Sequence, residues 1–377
     1  MPKQMYRHSS ILKTQRRPAE KLAPHAGEPS HGPLTGEELQ LAVRNHSMPL
    51  EALQTSTTPA GLHYLLNHFD IPFIDPDHWH LRILGAVERS SELSLRALRR
   101  APSIAVPVTL ECAGNGRSLL RPRPLSQPWR LEAVGTALWT GVPLAYLLTE
   151  AGVQDDAVEV VFTGADTGIQ GGVRQQFARS LPISEALRPD VVLAYRMNGM
   201  ELPPQHGYPL RLVVPGWYGM ASVKWLTSIK VVTKPFDGFQ QQVAYRYQQD
   251  ADDAGAPVTR IRVRALMVPP GVPDFFTRGR VLPAGPVMLR GRAWSGHGAV
   301  QRVDVGIDGK WAPAQLEPPA ASFAWCGWSM PWVADPGVHE LSCRATDSSG
   351  ATQPLEQVWN YQGMGNNAVQ RVKVTVE

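Results

Sequence analysis

Short runs of apolar and β-branched residues recur through the first two thirds of the chain. Ile104–Leu110, Ala157–Phe162, Leu210–Val214 and Ile229–Val232 read as strands, whereas Leu144–Ala151 and Leu181–Leu187 place apolar residues at helical spacing. Strands alternating with short helices predict a mixed α+β domain over residues 41–255. Around residues 248–260 the pattern gives way to a polar stretch punctuated by Gly and Pro, which predicts a surface connection. Beyond it, strands are expected at Ile261–Met267, Val287–Trp294, Val300–Ile307, Phe323–Trp328, His339–Thr346 and Val369–Val376, with turn signals at Asp308-Gly309 and Ser349-Gly350. Many short strands in sequence predict an all-β immunoglobulin-like sandwich over residues 256–377. Residues 1–40 carry no sustained apolar period and read as an N-terminal arm, mobile or draped over the body.

Composition narrows the function classes. The chain has 377 residues, 43% hydrophobic and 19% charged, and no apolar run approaches the ~18 residues that a membrane span needs. Arg16-Arg17 is followed by a polar stretch instead of an export segment, so a cytoplasmic protein is expected. A net charge of +4 with scattered basic residues argues against nucleic acid and fits a small anionic ligand better. The three cysteines form no CxxC pair or CxxCH haem signature. Cys326 and Cys343 lie on expected strands, where two free core thiols are expected over a disulfide.

Chemistry concentrates in four segments. Cys112 ends an apolar strand and precedes Ala-Gly-Asn-Gly-Arg-Ser, a tight turn that can present a thiol to a cleft. Gly114 and Gly116 allow close approach or positive φ, and Arg117 adds a permanent cation. On local sequence alone, a small buried hydrophobe is the competing reading. Residues 205–225 combine His206, Arg211, Ser222, Val223 and Lys224 with turn-forming Gly and Pro around a strand, a composition suited to a phosphorylated ligand or to a solvated basic edge. The segment His63–Pro72, with Tyr64, Asn67 and His68, places polar groups in an otherwise apolar stretch bounded by Pro59 and Pro72. Asp166 follows a strand between glycines, as a ligand-binding loop carboxylate or an ordinary Asx turn.

In this order, these segments resemble the sulfite oxidase family of molybdopterin enzymes over residues 41–377. The matching pieces are the Asn-His segment, the Cys-Ala-Gly-Asn-x-Arg-Ser turn, the His-Gly-x-Pro-x-Arg strand, the Val-Lys-Trp turn, and Ala-Trp-Ser-Gly with Trp359-Asn360. Pro-Leu-Glu-Ala-Leu (49–53), Gly-Leu-His-Tyr (61–64) and Gly-Met-Gly-Asn-Asn-Ala-Val-Gln-Arg look most like the bacterial sulfane dehydrogenase branch. The resemblance implies a molybdopterin-binding domain of sulfite oxidase fold, and one molybdenum with one molybdopterin, held by the Cys112 thiolate. It assigns cofactor contacts to Tyr64, Asn67, His68, Asp166, His206, Arg211, Ser222, Val223 and Lys224, and catalytic contacts to Arg117 and Tyr245. It also implies a homodimer, a sulfur-containing or oxyanion substrate, and an external electron acceptor such as cytochrome c.

Two departures bear on the substrate. Sulfite-oxidising members carry Arg where this chain has Leu66, and again where it has Gln362. The pocket is therefore expected to be less charged, with Trp217 and Tyr218 walling its entrance. The competing functions are a reductase of nitrate or sulfoxide on the same cofactor, a metal-free Cys112–His206 thiol hydrolase, and a non-catalytic binding protein.

Overall fold

A computed structural model describes residues 29–377. The expectation for residues 1–28 lies outside the described residues. Helix Gly36–Arg44 opens with a capping box, in which Thr35 and Glu38 satisfy each other's backbone N–H groups. Glu38 also forms a buried two-pronged pair with Arg123, Nε to Oε1 3.0 Å and Nη2 to Oε2 2.9 Å, which ties this helix to the segment beyond Cys112.

The first domain is built on two sheets. One has the spatial order Ser91–Ser94, His80–Gly85, Leu226–Val232, Glu159–Gln170, Val173–Pro182. The other runs Met200–Glu201, Val192–Met197, Val134–Pro143, Ile104–Glu111, with Arg211–Val213 also paired to Val192–Met197. Helix Leu144–Ala151 appears where helical spacing places it, because Leu144, Leu147, Leu148 and Ala151 form one buried stripe.

The expected helix at Leu181–Leu187 is only the turn Ile183–Ala186, because the preceding strand continues to Pro182. Pairing of Glu159–Thr163 with Ala178–Pro182 outweighs the local helical spacing. Pro182, which fixes φ without needing an N–H bond, stands at the cap where the turn starts.

The second domain is a two-sheet sandwich. Its sheets run Arg264–Met267, Gly285–Trp294, Cys326–Ala334, Gln315–Leu316 and Val272–Pro273, Arg280–Leu282, Gln370–Val376, Gly337–Asp347, Val300–Ile307, Lys310–Pro313. Gln370–Val376 alternates buried and exposed along its whole length, as a half-buried strand should. The strand expected at Phe323–Trp328 instead spans Cys326–Ala334, crossing Pro331. Its other neighbour, Gln315–Leu316, pairs only with Ser329 and Trp328, so Pro331 sits where that side needs no donor.

Cys326 and Cys343 are free, buried and on opposite sheets. The larger core continues from the first domain into Val258, Ile261, Leu266, Trp294, Trp325 and Met364, giving the domains a packed joint.

Candidate active site

Strand Ile104–Glu111 delivers Cys112 to the domain joint, where the chain turns at once. Asn115 N–H donates to the Cys112 carbonyl (2.9 Å), and the Asn115 side chain bonds Ala133 N–H, the Leu131 carbonyl and Glu111. Gly116 adopts φ 86°, and a Cβ on Gly114 would stand 2.7 Å from the Arg117 guanidinium. Both glycines are therefore needed, one for its backbone angle and one for close approach.

Cys112 lies between two cavities. The inner one is lined by Tyr64, His68, Asp166, His206, Arg211, Ser222, Val223, Lys224 and Tyr245, together with His63 and Phe177. The outer cleft, the larger of the two, is lined by Asn67, Arg117 and Gln362 and by the apolar groups of Leu41, Phe69, Trp129, Ile169, Val243 and Met364. Leu66, His68, Cys112 and Tyr245 face both. The other eleven site residues singled out from the sequence thus gather around the Cys112 thiol.

The inner cavity is cationic and almost without counter-charge. Arg211 donates to the His206 carbonyl (3.0 Å) and the Ser222 carbonyl (3.2 Å), lies 4.7 Å over Trp139, and leaves Nε without a partner among the described residues. Lys224 Nζ donates to the carbonyls of Leu66 and Gln205, each at 2.9 Å, and to the Asn67 side chain. Burial, reinforced by Arg211, pushes the Lys224 ammonium well below its usual range. Burial pushes Arg211 down to about 10. It also takes His206 down to about 2, with His63, Arg211 and Lys224 adding to the effect.

Asp166 is the one carboxylate on the cavity wall among the described residues, raised to about 6 by burial against the pull of Lys224. It sits within the strand Glu159–Gln170, where pairing slips between Thr163 and Thr167, and so belongs to neither a loop nor an Asx turn.

Such a cluster is costly unless an anion completes it. Two cations, main-chain carbonyls and unpartnered N–H groups fit the phosphate and polar ring edges of a pterin cofactor. The Cys112 thiol beside them is a soft sulfur donor of the kind that a metal carried by such a cofactor would take.

In the outer cleft, buried Arg117 donates, among the described residues, only to neutral acceptors: the carbonyls of Gln362 (3.0 Å) and Gln127 (3.4 Å) and Met364 Sδ (3.3 Å). Its charge remains available to an oxyanion. Tyr245 is buried at φ 57°, with the Arg179 guanidinium 5.6 Å from its ring centroid.

Trp217 and Tyr218 do not wall the entrance. Trp217 bonds Glu185 (3.0 Å), and the Tyr218 hydroxyl accepts from Arg262 N–H (3.3 Å), so the domain joint consumes both. Cys112 and His206 share the inner cavity, but burial pushes the thiol up and the imidazole down, the reverse of a thiolate–imidazolium pair.

Two residues received no site role from the sequence, although His63 opens one of the segments singled out there. His63 is buried, stacks on Tyr64 with centroids 5.1 Å apart, meets His206 edge-on at 5.5 Å, and leaves Nε2 unpartnered among the described residues. Glu111, charged at the end of an apolar strand, bonds across the domain joint. Its position directly before Cys112 was the available signal.

Comparison with known proteins gives the same architecture. Residues 68–240 match the oxidoreductase molybdopterin-binding domain, and residues 258–377 match the Mo-co oxidoreductase dimerisation domain. Sulfite oxidase of Gallus gallus is 36% identical over 370 residues, covering 92% of this chain and 79% of that protein. NADH nitrate reductase of Solanum lycopersicum is 33% identical over 355 residues, 85% of this chain but 38% of that longer protein. Among solved structures, the sulfane dehydrogenase SoxCD of Paracoccus pantotrophus superimposes with a TM-score of 0.76 at 27% identity, covering 88% of this chain and 86% of that one. With an α+β cofactor domain, a β-sandwich and these relatives, the chain belongs to the sulfite oxidase family of molybdopterin oxidoreductases.

Proposed function

We propose that this protein oxidises a sulfur compound, with Cys112 as the protein ligand of the metal. The observation that carries the reading is the position of Cys112, between a cation-rich cavity suited to a phosphorylated pterin and a substrate-sized cleft holding an uncompensated Arg117. When bound, molybdenum with one molybdopterin supplies oxygen-atom transfer and accepts two electrons from the substrate sulfur. Lys224, Arg211 and His206 hold the phosphate end. Tyr64, Asn67, His68, Asp166, Ser222 and Val223 position the pterin through hydrogen bonds and shape. Arg117 orients a substrate oxyanion, and the Tyr245 hydroxyl donates to substrate oxygen.

Leu66 and Gln362 leave Arg117 as the principal cation of the outer cleft, whose apolar lining favours a bulky, partly apolar sulfane-type substrate over free sulfite. Electrons then pass to an external acceptor such as cytochrome c. Residues 41–255 form the catalytic unit, and 256–377 the unit through which two copies associate as a homodimer. Among the described residues, no helix is long and apolar enough to cross a membrane.

A reductase working on nitrate is the second reading, favoured by the similarity to nitrate reductase. Paired donor and acceptor assays separate the two directions. The deciding experiment combines molybdenum content with Cys112→Ser. The expected result is about one metal per wild-type chain and loss of turnover in the variant, whose pterin content and fold persist. Full activity in Cys112→Ser refutes the ligand assignment.

A further inference from the structure

Glu111 precedes Cys112 and is only 1% exposed. Its carboxylate is engaged on three sides. Trp294 Nε1 donates to Oε2 (2.7 Å), Asn115 Nδ2 donates to Oε1 (3.0 Å), and Arg264 Nε stands 2.9 Å from Oε1, off the N–H axis, as an ion pair. Trp294 and Arg264 belong to the sandwich domain, whereas Asn115 is part of the turn that carries the thiol. The same domain grips that turn at other points. Gly365 N–H donates to the Ala113 carbonyl (2.7 Å), Asn366 Nδ2 donates to the Gly116 carbonyl (2.8 Å), and Arg264 donates to the Asn366 carbonyl.

An ordinary strand end next to an apolar core would be served by an apolar side chain. A buried carboxylate is tolerated here because each of its oxygens has partners, and those partners fix the turn in one arrangement. Groups that brace a ligand residue set the direction from which its donor atom meets the metal.

We propose that Glu111 is a positioning residue for the metal ligand. Clamped by Trp294 and Arg264 of the sandwich domain, it holds the Cys112 turn and thereby fixes the geometry in which the thiolate donates. The sandwich domain is then part of the ligand's support as well as an association module. This inference rests on Cys112 being the ligand, as proposed above.

The test uses holoenzyme carrying Glu111→Gln or Trp294→Phe, the second of which removes one hydrogen bond and leaves the carboxylate in place. Metal content, the thiolate-to-molybdenum charge-transfer absorption without substrate, and kcat and KM are measured. Expected in both variants are metal content within about twofold of wild type, a shifted absorption band, and kcat about tenfold lower at nearly constant KM. An unchanged band with unchanged kcat overturns the proposal, as does an activity loss that merely follows lost metal. Should Glu111→Gln fail to fold, Trp294→Phe alone decides by the same criteria. A wild-type protein without molybdenum overturns the ligand assignment itself, a result distinct from variants that match an active, metal-loaded wild type.

Discussion

Restoring arginine at both Leu66 and Gln362 is the sharpest test of the substrate argument. Leu66 faces both cavities and Gln362 lines the cleft beside Arg117, so an arginine at either position can point into the space above Cys112. A unit charge about 5 Å from a bound oxyanion contributes about 3 kcal/mol at an effective dielectric of ~20. Solvent in an open cleft cuts this to about 1.5 kcal/mol, so two cations together improve binding of sulfite about 100-fold at low salt.

The same charges repel Arg117. At about 7 Å, screened similarly, each costs about 1 kcal/mol of stability. The double variant should therefore unfold a few degrees lower while its KM for sulfite falls. Because the screening length shrinks to a few ångströms near 1 M salt, most of the kinetic gain should vanish there. Steady-state kinetics with sulfite at low and high ionic strength, alongside thermal unfolding, read both effects. A KM that moves less than about threefold at low salt, or an improvement that survives high salt, refutes the electrostatic account of the pocket.

Two further outcomes follow from buried charges. Glu38→Ala strands Arg123 and should cost about 3–5 kcal/mol in urea unfolding near neutral pH. Burial alone would raise the Glu38 carboxyl, but the hydrogen bonds from Arg123 and Thr35 outweigh it and hold the group below its usual value. A depressed native pKa gives stability that is complete above the unfolded value and is lost as pH falls through the native one. The gap between wild type and variant should accordingly shrink below about pH 4, and an undiminished gap at about pH 3 would contradict the assignment. Lys224→Met removes three donors from the inner cavity. All three N–H groups are spent on protein acceptors, so the ammonium acts on a cofactor phosphate through its charge. At about 5–8 Å and an effective dielectric of ~20 this is about 2–3 kcal/mol, and its loss should speed pterin release about 30- to 150-fold, measured by pterin fluorescence after dilution. Unaltered release would move the phosphate end elsewhere.

Legibility in the sequence followed how local each signal was. The Leu144–Ala151 helix and the Val300–Ile307 strand have the bounds their pattern predicts, the helix because its period leaves one buried stripe and the strand because its apolar run is buried on both faces from Val303 to Gly306. The long hairpin Glu159–Pro182 was not legible, because pairing across the Gly171-Gly172 turn decides it and no single segment encodes that pairing. Asp166 was found by type but misplaced, since a bulge depends on the register of two strands. Trp217 and Tyr218 looked like entrance aromatics, and only the Glu185 and Arg262 contacts show them spent in the joint. His63 and Glu111 stayed hidden for a related reason. Their significance lies in partners more than seventy residues away, His206 for one and Trp294 and Arg264 for the other.

The two cavities follow opposite electrostatic logic, and the contrast separates cofactor retention from substrate choice. Around the inner cavity, protein alone leaves Arg211 and Lys224 depressed by burial and without an ion-pair partner among the described residues. That arrangement favours a resident anion, which supports a tightly held cofactor. The outer cleft makes no comparable demand. Arg117 there has its donors met by neutral acceptors, and the surrounding wall is largely apolar. A site of this kind waits for its anion and releases it, as a substrate site must. Changes at Gln362 can therefore retune the choice of sulfur compound without disturbing cofactor retention, whereas Leu66, which also lines the inner cavity, touches both, and changes at Arg211 or Lys224 should impair retention before they alter specificity.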